Sequence, residues 1–132
     1  MNNFKPLIVV FILIGLSLSL TSCDILEILG IRKNRPPTIV SLTANPTSVS
    51  IRGTSTVTCN ANDPDGDPLT YIWQASGGII SGSGAIVTWT APSVTGTYSV
   101  IVTVSDGRGG EDKRGVNIDV IQPRSNVDFW VY

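Results

Sequence analysis

Between residues 38 and 121 the chain alternates apolar and polar side chains in short runs, interrupted by clusters of Pro, Gly, Asn and Asp. Val57, Cys59 and Ala61 alternate with Thr56, Thr58 and Asn60. Leu69, Tyr71, Trp73 and Ala75 alternate with Thr70, Ile72 and Gln74, and Val116, Ile118 and Val120 with Asn117 and Asp119. Successive side chains of a strand point to opposite faces, so this period of two predicts strands buried on one side. Weaker runs predict strands at residues 38–44, 48–51, 85–90 and 97–104. Nothing in this stretch sustains a helical period over a full helix length. About seven short strands in about 85 residues predict an all-β fold, a two-sheet sandwich.

A different pattern opens the chain. Lys5 is the only charge before an apolar run of 14 residues, 7–20. That run is short of the roughly 20 residues needed to span a bilayer as a helix, and it suits the apolar region of a secretory signal. It ends in Leu20-Thr21-Ser22-Cys23, which resembles the lipobox of bacterial lipoproteins. The resemblance implies that the Cys23 thiol is alkylated by a diacylglyceryl group and that residues 1–22 are cut away. The small Thr21 and Ser22 suit a peptidase that must admit an extended backbone. Cys23 would then anchor the chain on the extracytoplasmic face of a bacterial membrane, in the cell envelope. The alternatives are an ordinary cleaved signal and an uncleaved anchor helix.

Removing the first 22 of 132 residues leaves 110, enough for one domain with one core. Lys5 leaves with the signal, so 8 basic and 10 acidic side chains remain, a net charge of −2. No basic stripe exists, which argues against a nucleic-acid partner. Residues 23–37 read as a tether. Ile25, Leu26, Ile28 and Leu29 can form one short apolar helical face ended by Gly30, which would bring Arg32, Lys33 and Arg35 near anionic lipid. The alternative is a flexible, solvated linker. Pro36-Pro37 stiffens its exit.

Within the domain, Cys59 lies mid-strand and Trp73 follows 14 residues later. The segment Gly96-Thr97-Tyr98-Ser99-Val100 then resembles the tyrosine corner of immunoglobulin-like sandwiches, with Val100 where antibody domains place their second Cys. The resemblance implies that the inter-sheet disulfide is absent and that Cys59 packs as a small hydrophobe against apolar side chains including Val100. A wider set of segments resembles the bacterial polycystic-kidney-disease-like and cadherin-like extracellular repeats. These are Pro36-Pro37-Thr38-Ile39, the run from Asp63-Pro64-Asp65-Gly66-Asp67-Pro68 to Trp73, Trp89-Thr90-Ala91-Pro92, and Val104-Ser105-Asp106-Gly107. The Trp-Asp-Phe-Gly-Asp-Gly-type segment typical of the polycystic-kidney-disease repeats is missing. Such modules serve as spacers, adhesion units or binding units.

Asp63, Asp65 and Asp67 alternate around Gly66, a hard-oxygen set of the kind calcium prefers. An EF-hand is excluded, since Gly66 falls at position four and Gln74 at position twelve. An immunoglobulin-like topology brings the loop after Val104 to the same end, so Asp106 joins the candidate ligands, with Glu111 or Asp112 behind it. The same residues are also what turns use beside Pro and Gly. No cofactor is required, and calcium is the one candidate ion.

Trp73 and Trp89 share parity with core positions, and the Tyr98 hydroxyl is placed to fix a loop. The tail, residues 122–132, carries Phe129, Trp130 and Tyr132 past the final strand. It can fold back as a cover, enter the membrane interface, or dock a partner.

The chain has no histidine, which rules out Ser-His-Asp and Cys-His arrangements and His-ligated zinc. Gly77-Gly78 and Gly82-Ser83-Gly84 lack the Lys and helix start of a phosphate loop and read as a flexible hairpin. The expectation is a non-catalytic module acting in binding, adhesion or envelope structure. Narrower alternatives are an adhesin that binds carbohydrate or protein through its loop ends, and an accessory subunit docking through the tail.

Overall fold

A computed structural model describes residues 29–30 and 32–123. The signal segment, Cys23 with residues 24–28 and 31 of the tether, and Phe129, Trp130 and Tyr132 lie outside the described residues.

Among the described residues, eight strands form two four-stranded sheets: β1 (Thr38–Asn45), β2 (Ser48–Ser50), β3 (Thr54–Asn62), β4 (Thr70–Ala75), β5 (Ile79–Ser81), β6 (Ile86–Thr90), β7 (Gly96–Ser105) and β8 (Glu111–Ile121). The first sheet runs β1-β3-β6-β5 and the second β2-β8-β7-β4. All neighbours are antiparallel except β2 and β8, which are parallel. The chain leaves the first sheet for the second between β1 and β2, at a cis Asn45–Pro46 bond. There the buried Ser55 hydroxyl donates to the Pro46 carbonyl at 2.7 Å.

The two sheets also touch along β1. Its register on β3 shifts between Ile39 and Ser41, which leaves Val40 without a partner across the ladder. The Val40 carbonyl accepts from Arg114 Nη1 at 3.2 Å, and the Ile39 amide donates to Asp112 Oδ2 at 2.7 Å.

The alternation read from the sequence is the alternation of burial. Val57, Cys59, Val100, Val102, Val104, Ile118 and Val120 face inward and are buried, while Ile72, opposite in parity on β4, is exposed. Two clusters fill the space between the sheets. The larger joins Val57, Val87, Trp89, Val100, Ile118 and Val120, and the smaller joins Ile39, Cys59, Val102 and Val104. Trp73 packs against both. Cys59 therefore sits with Val102 and Val104, one inward position along β7 from Val100, which belongs to the other cluster.

Depth differs between the two core tryptophans. Trp89 is 0% exposed and is the largest fully buried side chain among the described residues, whereas Trp73 is only half-buried. Each indole N–H has a carbonyl at 2.9 Å, Gly77 for Trp89 and Gly84 for Trp73. Tyr98 packs its ring 6.0 Å from that of Trp89, tilted by 43°, a favourable aromatic arrangement. Its hydroxyl donates to the Val94 carbonyl at 3.0 Å, the loop-fixing role expected of the corner.

The glycine-rich stretch is ordered by β5, a strand the sequence pattern did not reveal. Ile79, Ile80 and Ser81 pair with Thr90, Trp89 and Thr88. Gly78, with φ +82°, enters this strand where a Cβ would meet the Thr90 carbonyl and lie 2.7 Å from Trp89 Nε1. The hairpin expected of Gly77-Gly78 and Gly82-Ser83-Gly84 is present: Gly77-Gly78 leads into β5, and Gly82-Ser83-Gly84 lies in the connection from β5 to β6.

Candidate functional site

The loop from β3 to β4 and the hairpin from β7 to β8 meet at one end of the sandwich. An aspartate immediately after the preceding strand organises each. Asp63 follows Asn62, and its Oδ1 accepts from the amides of Asp65 at 2.8 Å and Asp67 at 3.1 Å. Asp106 follows Ser105, and its Oδ1 accepts from the amides of Arg108 at 2.7 Å and Gly110 at 2.9 Å. The offsets of two and four residues are the same in both loops. A short carboxylate bonding its own downstream backbone is what stabilises such turns. Both aspartates are buried by the loops they organise.

The segment leading into β1 closes over this end. Asn34 Nδ2 donates to Asp106 Oδ2 at 2.7 Å. Arg35 grips the other loop: its amide reaches Asp65 Oδ2 at 2.7 Å, Nε and Nη2 reach Asp65 Oδ1 at 2.9 and 2.7 Å, and Nη2 also reaches the Pro64 carbonyl at 2.7 Å. Arg108 Nε lies 3.2 Å from Asp67 Oδ1 and ties the two loops together. Contact is close enough that a Cβ on Gly110 would collide with Asp106 Oδ2 and lie 2.8 Å from Pro36 Cα.

The Asn34 side-chain hydrogen bond holds the Asp106 carboxyl below the usual carboxylate range, against the opposing effect of burial, and the backbone amides of Arg108 and Gly110 add to it. Burial pushes the Cys59 thiol up, partly offset by Arg114 and reinforced by Asp112. A raised thiol inside an apolar cluster is a packing group, not a nucleophile. Tyr71 is also raised, first by burial and then by Cys59.

One carboxylate oxygen from each of Asp63, Asp65 and Asp67 lies within 4.8 Å of the other two. Asp106 stands outside that group, its carboxylate engaged by Asn34, Arg108 and Gly110. Asp112 points to β1 instead, through Ile39, and Glu111 is exposed at the start of β8. Asn34, Arg35 and Arg108 are the participants that sequence reading missed. Arg35, read as a membrane-facing cation, is engaged with Asp65. The only signal was an Asn-Arg pair directly before Pro36-Pro37.

Comparisons with known proteins agree with this architecture. Residues 34–119 match the bacterial Ig domain family. Chitinase A of Pseudoalteromonas piscicida is 41% identical over 78 residues, which is 56% of this chain but only 9% of the chitinase. Among solved structures, the adhesin InvE of Yersinia pseudotuberculosis is 26% identical with a TM-score of 0.51, the match covering 62% of this chain and 26% of the adhesin. The PKD domain of an M14-like peptidase from a Thermoplasmatales archaeon is 25% identical with a TM-score of 0.54, covering 70% of this chain and all of that domain. The tyrosine corner, the two four-stranded sheets and the match beginning at Asn34 converge, and this chain belongs to the bacterial Ig domain family.

Proposed function

We propose that this protein is a lipid-anchored, extracytoplasmic binding or adhesion module with no catalytic role of its own. The observation that carries the reading is a bacterial Ig domain at residues 34–119 set directly behind Leu20-Thr21-Ser22-Cys23. A sandwich whose inward side chains fill the space between its sheets offers surfaces and loop ends for recognition, while a chain without histidine lacks the usual base for nucleophilic catalysis. The diacylglyceryl group on Cys23 would hold that surface close to the membrane. Mass spectrometry of the membrane-extracted protein tests the anchor. The expected first residue is Cys23 bearing the lipid, and Cys23→Ala should move the protein from the detergent phase to the aqueous phase. An unmodified amino terminus, or an intact leader, refutes it.

A narrower reading is favoured by the likeness to a chitinase and to an adhesin. In this reading the loop ends bind a polysaccharide of the kind a chitinase acts on. Retention on insoluble chitin, with a glycan array for other sugars, tests it. Elution with the unbound fraction and a blank array would reject it.

A further inference from the structure

The loop end contains a deficit of hydrogen-bond donors. Among the described residues, three buried side-chain oxygens have no donor: Asp63 Oδ2, Asp67 Oδ2 and Asn34 Oδ1. Asp63 is 8% exposed and the Asp67 side chain 10%, so water does not readily supply what the protein withholds. A buried acceptor without a donor is costly, and a charged one more so. Arg35 reaches Asp65 and Arg108 the Oδ1 of Asp67, leaving Asp63 Oδ2 and Asp67 Oδ2 unmet. Three orphaned acceptors on two segments that converge on one end of the sandwich call for a compact positive charge.

We infer that the loop end binds a divalent cation of the calcium class, held by the carboxylates of Asp63, Asp65 and Asp67 and by the Asn34 amide oxygen. Calcium takes 6–8 oxygens at about 2.3–2.6 Å, so two ligands of one ion stand at most about 5 Å apart. The 4.8 Å grouping of the three carboxylates fits that limit. The smaller magnesium ion, at about 2.0–2.1 Å, requires a tighter set of ligands and a near-ideal octahedron. Asn34 precedes the sandwich, so its ligation makes the ion a fastener between the segment leading into β1 and the β3–β4 loop. Asp106 is then a positioning residue that orients the Asn34 amide through Nδ2. Arg35 and Arg108 compete with the ion for Asp65 and Asp67.

The full-length chain in detergent, titrated with calcium chloride in a calorimeter, should bind one ion with Kd on the order of 10⁻⁴–10⁻³ M, the range of extracellular modules. Calcium at ten times Kd should raise the melting temperature by about 5–10 °C. Asp63→Asn and Asp67→Asn should abolish both effects. Asn at 63 keeps an oxygen for the two loop amides, and circular dichroism verifies folding. Asn34→Ala should weaken binding by about threefold to tenfold, the worth of one polar contact, and Arg35→Gln should strengthen it. Cleavage by endoproteinase Lys-C after Lys33 should slow with calcium in the wild type but not in Asn34→Ala. Absence of heat from the folded wild type at about 10 mM calcium, ten times the weakest Kd expected, overturns the site. So does an Asp63→Asn or Asn34→Ala protein that titrates like wild type. An unlipidated Cys23 would leave all of these results unchanged.

Discussion

Gly78 and Gly84 share the same backbone angle, φ +82°, and differ in what surrounds them. An alanine at either must hold a left-handed conformation, which costs about 1–2 kcal/mol. Both substitutions also remove conformational freedom from the unfolded chain, which returns about 0.4–1 kcal/mol. Gly84 has nothing within 4 Å of a Cβ, so Gly84→Ala should cost about 1.6 kcal/mol or less. Gly78 adds a collision. Its Cβ would meet the Thr90 carbonyl and stand 2.7 Å from Nε1 and 2.9 Å from Cε2 of Trp89, a ring that is 0% exposed and bonded to Gly77. Neither obstacle is the loose end of a side chain, so overpacking of about 1–3 kcal/mol is added. The backbone terms cancel in the difference, which isolates the fit of Gly78 against Trp89. At about 4–8 °C per kcal/mol for a domain of this size, Gly78→Ala should melt at least about 4 °C below Gly84→Ala. Thermal and urea unfolding, followed by tryptophan fluorescence, measure it. Equal midpoints, or a more damaging Gly84→Ala, would refute the packing account of β5.

Tyr98→Phe removes the hydroxyl that donates to Val94 and should cost about 0.5–1.5 kcal/mol, read from the urea midpoint at unchanged slope. Cys59, buried and with its thiol pushed up, should resist a disulfide reagent in the native protein and react only as fast as the domain opens; prompt native labelling contradicts its placement. Asp106 has a folded-state pKa below its unfolded value of about 3.9. Its contribution to stability is therefore complete at neutral pH and is lost as the pH falls below that value toward the folded-state pKa. Asp106→Asn should lower stability at pH 7 and flatten the acid limb below about pH 4; an acid limb identical to wild type would refute the assignment.

The strands with three or more inward positions were legible, because a sheet covered on one side imposes period two on β3, β4, β7 and β8. Strand β5 was not: three residues flanked by glycine give no period, and its order comes from pairing with β6. Parity placed Trp73 and Trp89 on inward faces but cannot give depth. Trp73 sits on β4 at the edge of its sheet, whereas Trp89 on β6 has β3 on one side and β5 on the other. The site was legible in part. Asp63, Asp65 and Asp67 lie within five residues, so their proximity follows from a single turn. Asn34 and Asp106 are 72 residues apart, and Arg35 and Asp65 are 30 apart. Only the assembled sandwich brings such pairs together.

The parallel pairing of β2 with β8 has a mechanical consequence. Strands β1, β2 and β8 all run away from the loop end, so Asn34 lies at one pole and Gln122 beyond the other. Tension between those residues drags β2 and β8 in opposite directions along their lengths. The Ser48–Ser50 ladder and the flanking bonds from Ile51 to Ile121 and from Asp119 to Thr47 are then loaded together in shear, instead of peeling one at a time. Pulling on residues 34 and 122 of a single molecule should rupture at higher force than unzipping β5 from its edge. A load applied through the two ends of the sandwich would therefore meet its strongest resistance along that axis.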